Sequence, residues 1–116
     1  MPASNRISHE LRLAEFRTRW DQERRALADA TATVLLFNAH MVGRKAALFW
    51  PTIGTALLAQ HPWTRVVCDG CDSVNELDLR MKPRDPDASI RVVLRHARCP
   101  RCNGHGRPRI VGLAKQ

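Results

Sequence analysis

Two Cys-x-x-Cys pairs, Cys68-Asp-Gly-Cys71 and Cys99-Pro-Arg-Cys102, hold every cysteine of this chain, and twenty-seven residues separate them. A two-residue gap lets both sulfurs of a pair point into one concave turn, where backbone amides can donate to the thiolates. Two such turns at the tips of adjacent hairpins present four sulfurs tetrahedrally. That arrangement suits zinc, at metal–sulfur distances of about 2.3 Å. The spacing therefore predicts one structural Zn2+ held by Cys68, Cys71, Cys99 and Cys102. Iron in the same four-sulfur cage is not separated from zinc by spacing alone. Four cysteines already complete a shell, so His105 is expected as a loop residue rather than a ligand. His61 and His96 are spaced too poorly to form a site.

The redox reading of a Cys-x-x-Cys pair needs a strand-to-helix junction. Cys102 is instead followed by Asn-Gly-His-Gly-Arg-Pro, a poor helix start. A closed four-cysteine site also leaves no open position for water. No Gly-rich phosphate loop, nucleophile elbow or His-Glu-x-x-His motif is present. Asp69, Asp72, Glu76 and Asp78 flank the first pair, and alternating charges on a short strand read as a solvated face. A protein without enzymatic activity or a small-molecule substrate is the expectation.

The flanks of the cysteines are strand-like: Trp63 opens "WTRVVC", and "VNELDLR" and "RPRIVGL" follow. Residues 86–97 are ambiguous. Asp85-Pro86 is a helix start, whereas Ile90, Val92 and Val93 favour a strand. The reading leans to a short helix feeding a strand into Cys99. Upstream, Leu13, Trp20, Leu27, Val34 and Met41 recur every seven residues, with Phe16, Glu23, Ala30 and Phe37 three positions later. This predicts a long helix from about Ser8, its cap, to about Met41, with a break tolerated near Asp29 to Thr33. A second, short helix is expected over about 51–60, with Pro51 in its first turn and Pro62 ending the run. Trp20, Phe37, Phe49 and Trp50 are its expected apolar packing with the first helix.

The predicted fold is α+β: a helical hairpin over 1–62, then a four-cysteine zinc ribbon of short antiparallel strands over 63–116. A module of about fifty residues rarely buries enough to fold unaided. Structural zinc contributes on the order of 10 kcal/mol in small finger peptides. The ribbon is accordingly expected to be disordered without metal. The heptads also raise self-association or capture of a protein partner. In a parallel homodimer, Arg12 would face Arg17 and Arg19 would face Arg24, so an antiparallel pair, or packing on the chain's own next helix, is favoured.

At this point two likenesses enter. "CPRCNGHG" has the form CxxCxGxG and resembles one knuckle of the cysteine-rich domain of DnaJ-type chaperones. That domain uses four copies and this chain has one. The likeness implies knuckle geometry, with Gly104 and Gly106 permitting a left-handed turn, and not chaperone function. Residues 49–113, "FWPTIGTALLAQHPW" with the two cysteine pairs after it, are similar to small, uncharacterised bacterial zinc-ribbon proteins. This resemblance implies a ribbon fold with rubredoxin-like knuckles and no particular activity.

Charge points to a partner. The net charge is +8, and no acidic residue follows Asp87. Arg91, Arg95, Arg98, Arg101, Arg107, Arg109 and Lys115 lie in that tail. Zinc with four thiolates carries a net −2, which offsets part of it. The arginines are candidates for contact with nucleic acid phosphates, which their planar fork suits. Trp63 is the one aromatic near them, so base stacking is poorly supported. The alternative is a protein-interaction adaptor in which zinc is purely structural. The first thirty residues lack the apolar core of a secretory signal, and no stretch reads as a membrane span. The cytoplasm, where thiols stay reduced, is the expected compartment.

Overall fold

The structure, a computed structural model, describes residues 2–42, 46–95, 97–102 and 107–115, with α1 side chains from Ile7 onward. Five segments of regular structure and one 3-10 turn make the fold. Helix α1 spans Pro2–Val42 and helix α2 spans Ile53–Leu58. Strand β1 is Trp63–Cys68 and β2 is Val74–Asp78. A 3-10 helix covers Ile90–Arg95, and β3 is Pro108–Ala114. The strands form one antiparallel sheet in the order β2-β1-β3.

Helix α1 is longer than the heptads suggest. Ser8 lies inside it rather than capping it, and the helix reaches Pro2, a residue tolerated in a first turn. It also runs unbroken through Asp29 to Thr33. The hydroxyls of Thr31 and Thr33 donate to the carbonyls of Leu27 and Asp29 at 2.9 and 2.8 Å, so neither competes for a backbone amide. Ala30 and Val34 are buried there, and packing outweighs the poor propensity of threonine.

Helix α2 is shorter than expected because Thr52, not Pro51, starts it. The Thr52 hydroxyl accepts from the Thr55 amide at 3.1 Å. The next free amides, of Ile53 and Gly54, donate to the carbonyls of Ala88 and Pro86, both at 2.8 Å. A β-carbon on Gly54 would sit 3.0 Å from the Pro86 carbonyl oxygen, so only glycine fits without a shift. At the other end Gln60 takes a φ of 59°. The Gln60 and His61 amides then donate to Leu57 and Ala56, a left-handed helix stop in which a glycine would be unstrained. Pro62 prevents continuation.

The ambiguous stretch contains the 3-10 helix Ile90–Arg95, with turns rather than a helix after Asp85-Pro86, and 97–99 lead into Cys99 without a strand. The strand tendency of Val92 and Val93 gives way because Ile90 and Val93 are buried in the shared apolar cluster, a spacing of three that suits a 3-10 turn.

One apolar cluster joins both sides of the Pro62–Trp63 junction. Ala30, Val34 and Phe37 of α1 meet Ile53, Ala56 and Ala59 of α2 and its C-cap, with Val66, Leu79, Ile90, Val93, Ile110 and Leu113 of the C-terminal part. Phe37 is 1% exposed, with the Phe49 and Trp50 rings 6.3 and 5.7 Å away. Trp20, expected in this packing, is 54% exposed instead. Among the described residues nothing folds back along α1 before Ala30.

Strand β3 carries a bulge. Gly112 pairs with Arg65 and Ile110 with Val66, leaving Val111 as the extra residue. The bulge lets Ile110 and Leu113, three apart, both face the core. The outer edge of β3 is closed by α1. The Asn38 amide donates to the Leu113 carbonyl and its oxygen accepts from the Leu113 amide, both at 2.8 Å. A β-carbon on Gly112 would lie 3.3 Å from the Asn38 Oδ1, so glycine admits this close approach. Asn38→Ala leaves one buried amide and one buried carbonyl unmatched. It is expected to lower stability by about 1–3 kcal/mol, read from urea unfolding.

Candidate metal centre

Cys68 closes β1, and the turn to β2 carries Cys71. The Cys68 amide donates to the Ser73 carbonyl at 3.0 Å and the Asp72 amide to the Cys68 carbonyl at 2.8 Å. Asp72 adopts a φ of 57°, a conformation that aspartate tolerates better than most residues. This turn aims both sulfurs inward. The Gly70 amide donates to the Cys68 sulfur at 3.3 Å, as the two-residue gap predicts.

The second turn arrives through β3. Cys68 pairs with Pro108 at the start of that strand, a position where the missing N–H costs little. The Asp69 amide donates to the Arg107 carbonyl at 3.0 Å. Residues 99–102 are thereby held over the first turn. Cys68 and Cys102 sulfurs lie 3.8 Å apart, and Cys71 and Cys99 sulfurs 3.6 Å. All four fall within 4.8 Å of one another. A tetrahedron with metal–sulfur bonds of about 2.3 Å has edges of about 3.8 Å, so the four sulfurs fit a metal ion and a zinc-ribbon-like site. All four cysteines are free of disulfides.

Ser73 was not legible as part of the site. Its hydroxyl lies 3.0 Å from the Cys71 sulfur and 3.1 Å from the Cys99 sulfur, bridging the two turns. That contact lowers the proton affinity of two of the four sulfurs. Cys99 is lowered to about 6, first by the Ser73 hydroxyl, against the upward push of burial and with help from the amides of Cys102 and Arg101. Cys71 is lowered too, again first by Ser73. Cys102 is pushed up to about 12, first by its hydrogen bond with Cys71, then by burial, then by Cys68 and Cys99. Crowded sulfurs thus share protons unequally, and a central dication is what allows all four to be thiolates together.

The six candidate arginines divide. Arg109 is tied to Asp69, Nε to Oδ1 at 3.0 Å. Arg91 lies over the Trp50 ring at 5.2 Å. Arg95, Arg98, Arg101 and Arg107 are exposed, and no ion pair engages them among the described residues. The outer face of the sheet is charge-matched, Arg65 with Glu76 and Arg80 with Asp78. Glu76 is exposed on that face, with its carboxylate 3.1 Å from the Arg65 guanidinium. Trp63 is covered by Arg80, whose guanidinium lies 5.6 Å from the ring centre.

His61 is buried, and its Nδ1 donates to the Ala59 carbonyl at 2.7 Å, away from any metal role. His96, Gly104, His105 and Gly106 lie outside the described residues, and with them the CxxCxGxG likeness beyond Cys102. No helix of the described residues is long and apolar enough to cross a membrane. In comparisons with known proteins, no family model, curated protein or solved structure matches this chain.

Two measurements test the centre. Ser73→Ala removes the hydroxyl shared by two sulfurs and is expected to weaken metal retention about 10–100-fold, read by competition with a chromophoric chelator. Stripping the metal is expected to deprotect the amides of Cys68, Gly70 and Asp72 in hydrogen exchange. Val66 and Leu113, buried in the shared core, keep most of their protection.

Proposed function

We infer that the chain is a non-enzymatic protein that holds one Zn2+ for structure and binds nucleic acid through the phosphate backbone. The observation that carries the reading is the set of four exposed arginines, Arg95, Arg98, Arg101 and Arg107, that have no carboxylate partner among the described residues and lie on the segment that includes the second cysteine turn. Zinc is the favoured ion because four thiolates in a tetrahedron suit it best. Four protein sulfurs fill its shell, so the metal has no site for a substrate. The thiols, held on metal, are not free for disulfide exchange. Arg91 and Arg109 belong to the same basic segment. Their own partners, Trp50 and Asp69, reduce what they offer to phosphate.

Backbone contact rather than base reading follows from the chemistry on offer. Arginine forks grip phosphate oxygens in two-point contacts, whereas Trp63 has its ring occupied by Arg80. Neutralising four phosphates gives a log–log salt slope of about −3.6 on duplex DNA. Binding of an unrelated duplex, followed by fluorescence anisotropy, is expected to fall about 100-fold between 50 and 200 mM salt. Arg98→Ala, Arg101→Ala and Arg107→Ala together should flatten that slope to about −1. Binding that ignores salt, or a triple variant with the original slope, would falsify this reading.

A second reading, a protein-interaction adaptor, draws on the exposed apolar side chains of α1, among them Phe16 and Trp20. It gains if partner capture depends on those residues and is indifferent to the arginines and to salt.

A further inference from the structure

We propose that α1 pairs with α1 of a second copy of this chain, antiparallel, over residues 7–29. The heptad seam is one continuous line of side chains. Its C-terminal portion, Ala30, Val34 and Phe37, is sealed in the core. The apolar members of its N-terminal portion, Leu13, Phe16, Trp20 and Leu27, which Glu23 interrupts, are 43%, 62%, 54% and 43% exposed, with the Phe16 and Trp20 rings stacked 6.4 Å apart on the surface. An isolated surface helix has no reason to keep a seam over that length, and the same seam finds an apolar cover wherever the chain itself supplies one.

Charge selects the occupant and its direction. Residues 7–29 carry five arginines and five acids, so this stretch is neutral in a chain of +8 and does not repel its own copy. Parallel pairing opposes Arg12 to Arg17 and Arg19 to Arg24. An antiparallel pair centred on Thr18 sets Phe16 against Trp20 of the second copy in both central layers. It also brings Glu10 beside Arg24 of the second copy on the flank of the seam, two residues off level, at both ends. Glu23 falls opposite Leu13, with Arg12 of the second copy beside it. Arg17 and Arg19 meet their counterparts at the centre, each with an acid of its own helix four residues away, Asp21 and Glu15. The same register lays residue 7 opposite residue 29. The overlap is therefore the exposed span, about 34 Å long, and it stops where each chain's own core begins. The two sheet-bearing ends then lie at opposite ends of the pair, with both metal centres clear of the contact.

Sedimentation velocity on the full-length, metal-loaded protein tests this across low to high micromolar concentration. A reversible dimer is expected, and Phe16→Ser with Trp20→Ser should leave monomer only. Both sites are exposed in the monomer, and unchanged metal content and helix signal show that the fold survives. Glu10→Arg and Arg24→Glu should each weaken the dimer about tenfold, and the two together should restore it to within about threefold. A chain that stays monomeric throughout overturns the proposal, as does a dimer that survives the serine pair. So does an Arg24→Glu dimer tighter than the original, since that result marks parallel pairing.

Discussion

Strand β1 lies between β2 and β3, and the metal centre depends on that position. Cys68 ends β1. Its neighbour on one side delivers Cys71 through a five-residue turn, and its neighbour on the other begins just after the second cysteine pair. Backbone pairing on both edges of one strand therefore brings together sulfurs far apart in sequence. The inner face of the same strand, through Val66, rests on the cluster around Phe37 and Ile110. The sheet thus has two points of attachment, the four-cysteine cluster at its tip and the apolar cluster along its inner face. A free-standing ribbon of its size would have only the first of these.

Charge is distributed in three zones with different partners. The exposed length of α1 is balanced within itself. The outer face of the sheet is balanced by cross-strand and local pairs, Arg65 with Glu76, Arg80 with Asp78 and Arg109 with Asp69. The excess sits on the segment that carries Cys99 and Cys102, where arginines stand without acids. A long neutral helix and a short basic knuckle offer unlike surfaces, so an assembly through one leaves the other accessible.

Parts of this arrangement were legible from the chain alone. Sulfur spacing at Cys68, Cys71, Cys99 and Cys102 reports directly on a metal shell, because turn geometry is local. The three strands were legible as short strand-like segments, WTRVVC, VNELDLR and RPRIVGL, around the cysteine pairs. Other parts were not. Ser73 reads as an ordinary turn serine until Cys99 is brought against its far side. Asn38 reads as an exposed helix residue until Leu113, 75 positions later, presents an open strand edge to it. The bulge at Val111 is equally silent, since it reconciles a spacing of three with a sheet whose own period is two. Residues 90–95 mislead for a related reason: their β-branched composition is overruled by which of them the shared core takes in.

By itself the sequence determined what is decided among near neighbours. It set the four metal-facing sulfurs, the seven-residue seam of α1, the bar that Pro62 puts on any longer α2 and the sign of the charge around the second knuckle. Tertiary structure alone decided how much of that seam is covered, which arginines already have partners, and that helices and sheet share one core. Those outcomes depend on contacts between residues tens of positions apart. A linear pattern records which faces are apolar or charged, but not which other face each one meets.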